Sequence, residues 1–70
     1  MNNIQYSPTF HDANDQELTQ RIQEYLSESF TISKNANRYT VVTFQNAITI
    51  ETLKSLDMAL MSLGYIRHNE

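Results

Sequence analysis

Seventy residues without a single cysteine must be held together by what one small apolar core can supply. A domain of this length buries only about 60% of the surface that its unfolded chain exposes, so its stability is marginal. Disulfides and thiolate metal sites are excluded, and the two histidines, His11 and His68, lie near opposite ends. We therefore expect no metal and no cofactor. A partner subunit is the remaining common support, which favours a homodimer.

The composition is that of a folded chain that acts away from membranes. Apolar residues make up 40% of the sequence and the formal net charge is only -3, which is unlike a disordered chain. No apolar run approaches the ~18 residues that span a bilayer. The first residues lack the basic region and apolar stretch of a signal peptide. These features predict a cytoplasmic protein.

The first eleven residues alternate in polarity. Ile4, Tyr6, Pro8 and Phe10 occupy every second position, which indicates an extended segment with one apolar side. Because Pro8 cannot donate a ladder hydrogen bond, we expect at best an edge strand or an arm. Such an arm packs either on its own domain or on a partner. The predicted organisation is an extended N-terminal arm, residues 1–11, followed by a single α+β domain, residues 12–70.

Two amphipathic helices are predicted. The first covers residues 15–29 and follows Asn14, a good N-cap with an acidic residue three positions later. The second covers residues 50–63 and follows Thr49, and Gly64 suits the left-handed position that ends it. Apolar residues recur at helical spacing in both. They are Leu18, Ile22, Tyr25 and Leu26 in the first helix and Leu53, Leu56, Leu60 and Leu63 in the second.

A β-hairpin is predicted between the helices. Residues 30–33 and 39–44 are rich in β-branched and aromatic side chains, and the asparagines between them favour a turn. A short strand is also compatible with residues 65–67. The fold class is therefore α+β, a small two-layer α-β-β-α domain in which two helices pack on one face of an antiparallel hairpin. Short extra strands at the termini fit the same pattern.

No pattern of residues indicates an enzyme. There is no motif for an activated nucleophile, and the only glycine, Gly64, excludes a glycine-rich phosphate loop. His11 and Asp12 lack the further ligands that a metal site needs. Asp57 lies at the margin of the leucine stripe, where acid–base chemistry would require a cleft, but an i,i+3 pair with Lys54 is the simpler interpretation. A chain this short leaves little room for a deep pocket.

Charge is distributed unevenly along the chain. Residues 1–28 contain five acids and one base, whereas residues 29–70 contain three acids and four bases. The acidic half is either a solvated helix face or a surface that attracts a basic partner and presents carboxylates where phosphates would lie. In the second case, the residues concerned are Asp12, Asp15, Glu17, Glu24 and Glu28.

A nucleic-acid site is an alternative from a different functional class. Lys34 and Arg38 flank the predicted hairpin turn and Tyr39 is adjacent, an arrangement that could hold a single strand by stacking. Five basic residues against eight acids argue against a binder that depends on phosphate contacts. Ordinary solubility of the turn is the simpler interpretation.

Apolar side chains outside the leucine stripe indicate a binding surface. Met58 falls nearly opposite Leu56 on the helical wheel, and Met61 and Ile50 lie to one side. A patch of Met58, Met61 and Tyr65 would suit an adaptable protein contact. A core that surrounds the helix, or a dimer, would instead bury these side chains.

The leading hypothesis is a small non-enzymatic protein-interaction module. Compact acidic proteins of this length are common among phage and mobile-element regulators, including inhibitors that bind a host protein. The residues expected to bind the partner are Met58, Met61, Tyr65, Asp15, Glu24 and Glu28. Two alternatives remain open: a nucleic-acid-associated regulator that uses the hairpin tip, and a structural subunit of a homo-oligomer.

Overall fold

A computed structural model describes residues 2–68 and contains six elements in the order β-α-β-β-α-β. They are β1 (Asn3–Pro8), α1 (Asp15–Gln23), β2 (Phe30–Lys34), β3 (Thr40–Phe44), α2 (Ile50–Met61) and β4 (Tyr65–His68). The predicted α+β class is confirmed, and the extra strands at both ends are present. Residue 1 of the predicted arm and residues 69 and 70 of the predicted domain lie outside the described residues.

The four strands form one sheet in the order β2-β3-β1-β4, and all neighbouring strands are antiparallel. Helix α1 connects β1 to β2, and β3 lies between these two strands in the sheet. Helix α2 connects β3 to β4, and β1 lies between these two. This is the split βαβ, or ferredoxin-like, order. The predicted hairpin is therefore one half of a larger sheet.

The first strand lies in the interior of this sheet, so the prediction of an edge strand or an arm at the N-terminus is wrong. Gln5 is opposite Val41 of β3 on one side and opposite His68 of β4 on the other. The strand also carries two buried residues of the core, Ile4 and Tyr6. Residues 3–8 therefore connect the two halves of the sheet.

Pro8 is tolerated in an interior strand because of where β3 begins. Successive residues of an antiparallel strand direct their N–H groups to alternate neighbours. Thr9 donates to the Gly64 carbonyl, next to β4, at 2.8 Å, so the backbone of Pro8 faces the side of β3. β3 begins at Thr40, opposite Tyr6, and does not reach Pro8. The missing donor consequently lies beyond the end of that ladder.

The N-caps of both helices are those that the sequence predicts. The Asn14 side chain accepts a hydrogen bond from the Glu17 N–H at 2.8 Å, and the Thr49 hydroxyl accepts one from the Thr52 N–H at 3.1 Å. Gly64 has the predicted left-handed conformation, with a φ of 83°, but it lies two residues beyond Ser62, the C-cap of α2. Both helices are shorter than predicted. α1 loses six residues of its predicted length, and this stretch returns the chain to β2.

One apolar core lies between the helices and one face of the sheet. Its fully or almost fully buried members are Ile4, Tyr6, Ala13, Leu18, Ile22, Val42, Phe44, Leu56, Ala59, Leu60 and Tyr65. Tyr25, which the sequence places in the first apolar stripe, lies beyond the end of α1 and is exposed. The opposite face of the sheet is open. By strand alternation it carries Asn3, Gln5, Ser7, Thr31, Ser33, Val41, Thr43, Ile66 and His68.

Candidate interaction surface

Exposed apolar side chains gather where α2 ends and β4 begins. Met61 and Ile66 are 66% and 51% exposed and line an open hollow of about 450 Å³, which Gly64 also lines. The exposed ring of Phe10 lies beside Gly64, within 4.0 Å of where a Cβ on that residue would be. Met58, also exposed, lies one turn before Met61. We call Phe10, Met58, Met61 and Ile66 the α2–β4 margin.

The prediction that Tyr65 belongs to an exposed patch is wrong, because this residue is part of the core. Its side chain is 1% exposed and faces the core, where the hydroxyl accepts from the Ala13 N–H at 2.9 Å and donates to Asp12 at 3.1 Å. Burial raises the pKa of this hydroxyl. In a strand the next residue faces the other way, so Ile66 is the exposed one. That alternation was readable from the sequence, whereas the position of Phe10 beside Gly64 was not.

The floor of the hollow contains a tyrosine, a carboxylate and a guanidinium. The buried Tyr6 hydroxyl donates to Asp57 Oδ1 at 2.6 Å, and Arg67 Nε lies 3.2 Å from the same oxygen. Burial, followed by the bond to Asp57, raises the pKa of Tyr6. Asp57 therefore pairs with Arg67 rather than with Lys54 as predicted. The apolar α2–β4 margin thus lies beside a polar floor in which Asp57 and Arg67 form an ion pair.

β4 is the edge strand beside this hollow, and its backbone is open on the outer side. Thr9 donates to the Gly64 carbonyl, so alternation directs the polar groups of Ile66 toward β1 as well. The N–H and C=O groups of Tyr65 and Arg67 point away from the sheet. Within residues 2–68, no strand pairs with that outer side. Such an edge is a template for another strand.

The acidic residues predicted to bind a partner are not brought into one surface. Glu24 lies just past α1 and pairs with Arg21 at 3.3 Å. Glu28 lies well beyond α1 and accepts from the Thr52 hydroxyl at 2.9 Å, which lowers the pKa of its carboxyl group. Asp15 is in the first turn of α1. Two of these carboxylates, those of Glu24 and Glu28, are therefore engaged in contacts within the chain.

The hairpin tip separates the basic residues from the aromatic one. Lys34 forms an ion pair with Asp12 at 3.0 Å and, with the Tyr65 hydroxyl, lowers the pKa of that carboxyl. Tyr39 stacks instead on His68, with ring centroids 4.3 Å apart and planes 3° apart. Arg38 forms the turn with a φ of 66°. The three predicted nucleic-acid residues therefore do not form one cluster.

Comparison with protein-family models, with curated proteins and with solved structures gives no match. Within the described part of the chain, no helix is long and apolar enough to cross a membrane. The same residues contain no group of three or more histidine, aspartate or glutamate side chains placed to hold a metal ion. Function is therefore inferred from the surface itself.

Proposed function

We propose that this protein is a non-enzymatic interaction module whose binding surface is the α2–β4 margin. The observation that carries the proposal is the juxtaposition of exposed apolar side chains with an open edge strand. Four of the six large apolar side chains that are exposed within residues 2–68 belong to this margin. Contiguous apolar patches on small proteins mark binding surfaces. The protein would act by occupying a complementary surface of its partner.

The chemistry of the margin is that of a protein contact. Two of its side chains, Met58 and Met61, are flexible thioethers, which adapt to irregular partner surfaces. The paired Asp57 and Arg67 supply a polar group beside the apolar centre, as interfaces commonly do. The open backbone of β4 adds directional hydrogen bonds to a strand laid beside it. The apolar side chains would thus supply affinity, and the backbone of β4 would align the partner.

Site-specific photocrosslinking tests the proposal in cells that express the protein. A photoreactive amino acid at Met61 is expected to give a discrete adduct, because this side chain lies in the interface. The matched control is the same amino acid at Tyr25, which is exposed but lies outside the margin. Equal adducts at both positions, or none at Met61, would contradict the proposal. The Met58→Ser variant is expected to reduce the adduct formed at Met61.

The open face of the sheet supports a second candidate, a nucleic-acid-associated regulator. Tyr39 and His68 present stacked rings, and no strand residue on this face is acidic. Base stacking on aromatic side chains is largely independent of sequence. Retention of single-stranded DNA or RNA at low salt, lost in Tyr39→Ala but kept in Thr43→Ala, would favour this function. Absence of retention at low salt would eliminate it.

A further inference from the structure

We infer that the α2–β4 margin binds a second copy of this chain, with the two β4 strands paired antiparallel across a twofold axis at Ile66. This inference rests on the proposed function and names the partner. The two sheets would then join into one continuous sheet of eight strands. Such an interface is isologous, because each copy contributes the same strand in the same role.

The register follows from which backbone groups are open. In β4 the outward groups belong to Tyr65 and Arg67, the residues on either side of Ile66. An antiparallel self-pairing centred on Ile66 places Tyr65 opposite Arg67 of the second copy, and the converse. Each of these two pairs exchanges both N–H···O=C bonds. Self-pairing therefore satisfies all four outward polar groups of each strand segment without an unpaired position.

The side chains agree with this register. Ile66 meets its own equivalent on the open face as a non-hydrogen-bonded pair, the type in which side chains approach most closely. Arg67 brings no unpaired charge to the edge, since Asp57 lies 3.2 Å from its Nε. Met61 lines the same hollow as Ile66, so the hollows of the two copies meet beside the axis. Apolar contact thus surrounds the joined backbones.

The other edge of the sheet lacks these features. β2 has Phe30 and Ile32 turned toward the core, and neither is among the large exposed apolar side chains.

A stable interface removes about 800 Å² of accessible surface from each partner, roughly a sixth of the 4699 Å² that this chain exposes. A small chain without disulfides benefits from such burial. A second copy carries the matching strand by construction, whereas an unrelated partner requires a strand of its own.

An introduced cysteine tests the register. Because the sequence has no cysteine, Ile66→Cys can form a disulfide only between copies. Directly opposite residues of a strand pair meet the distance that a disulfide requires. We expect mild oxidation to convert most of the protein to a covalent dimer. Thr31→Cys, exposed on the same face but on β2, is the matched control and should remain largely uncrosslinked. Equal crosslinking of both variants would overturn the inference.

A second variant tests the dimer without oxidation. Ile66→Lys places like charges directly opposite each other at the axis, and Ile66 is half exposed, so the monomer should still fold. In sedimentation across a dilution series, we expect the wild type to dimerise and this variant to have at least tenfold weaker self-association. A monomeric wild type would overturn the inference. If the crosslink at Met61 then joins the protein to a different chain, the proposed function stands and only the choice of partner fails.

Discussion

Replacing Tyr6 with phenylalanine removes one hydroxyl from the contact between β1 and α2. The side chain of Tyr6 is fully buried, and its hydroxyl donates to Asp57 Oδ1 at 2.6 Å. Hydrogen bonds to charged groups contribute about 1.5–3 kcal/mol. Asp57 is partly exposed and keeps Arg67 as a partner, which places the expected loss at the lower end, about 1.5 kcal/mol. In a domain of this size that lowers Tm by roughly 6–12 °C.

The same variant should change the response to alkaline pH. Burial and the bond to Asp57 raise the pKa of Tyr6 above the ordinary 10.0. The folded hydroxyl then stays protonated where the unfolded one ionises, so its contribution is complete below pH 10 and is lost as pH rises further. Each such group steepens the fall in the free energy of unfolding by up to about 1.4 kcal/mol per pH unit. Tyr6→Phe removes one of them, while Tyr65 remains.

Urea unfolding monitored by circular dichroism at pH 7, 10, 10.5 and 11 measures both effects. Tyr25→Phe is the matched control, because it removes the same hydroxyl from an exposed tyrosine. If Tyr6→Phe matches the wild type in stability at pH 7 and in its slope above pH 10, neither the hydrogen bond to Asp57 nor a raised pKa of Tyr6 contributes to stability. If Tyr6→Phe is less stable than the wild type at pH 7 but has the same slope above pH 10, the hydrogen bond contributes to stability and the pKa of Tyr6 is not raised.

Variants at three further positions are compared with the wild type by urea unfolding at pH 7, and a variant at a fourth position probes acid stability. Gly64→Ala should cost about 1–2 kcal/mol because of its positive φ, and Gly64→Asn less; equal losses would mean that crowding dominates. Leu56→Ala empties a fully buried site and should cost about 2–5 kcal/mol, the largest loss of the set. Asn14→Ala should cost about 1 kcal/mol and Asn14→Asp little, unless the cap bond is dispensable. Lys34 lowers the pKa of Asp12, so the stability that this carboxylate adds is present above the ordinary value of 3.8 and is lost as pH falls further. Asp12→Asn should therefore flatten the decline in stability between pH 5 and 2, and an unchanged acid profile would contradict this.

Local features of this fold are predictable from the sequence, and pairings between distant residues are not. Asn14, Thr49 and Gly64 act within one turn of their helices, so their roles follow from residue type and spacing. The interior position of β1 depends instead on where β3 begins and on pairing with β4. The rule that proline favours an edge strand considers Pro8 alone and therefore predicts an edge. What makes Pro8 acceptable is that β3 has no residue paired with it, and β3 lies more than thirty positions away in the sequence.

The candidate site divides in the same way. The exposure of Met58 and Met61 is predictable, because a helical wheel places both side chains away from the leucines that face the core. Tyr65 is predicted to belong to the same exposed patch, yet it begins β4 and its side chain faces the core. Asp57 has Lys54 at helical spacing, but the folded chain brings Arg67 to 3.2 Å. Spacing along α2 therefore predicts the wrong partner for Asp57, because the packing of β4 beside α2 brings in a residue that is distant in the sequence.

The interior position of β1 also sets how this domain must assemble. Residues of β1 and β4 that touch, such as Ser7 and His68, are 61 positions apart. Closing so long a loop costs chain entropy before any contact repays it, and folds rich in such contacts form slowly. Until residues 65–68 arrive, a chain that has already paired β1 with β3 exposes one flank of β1. The exposed flank of β1 is a template for other strands, so such a partly folded chain would be the species most prone to aggregate.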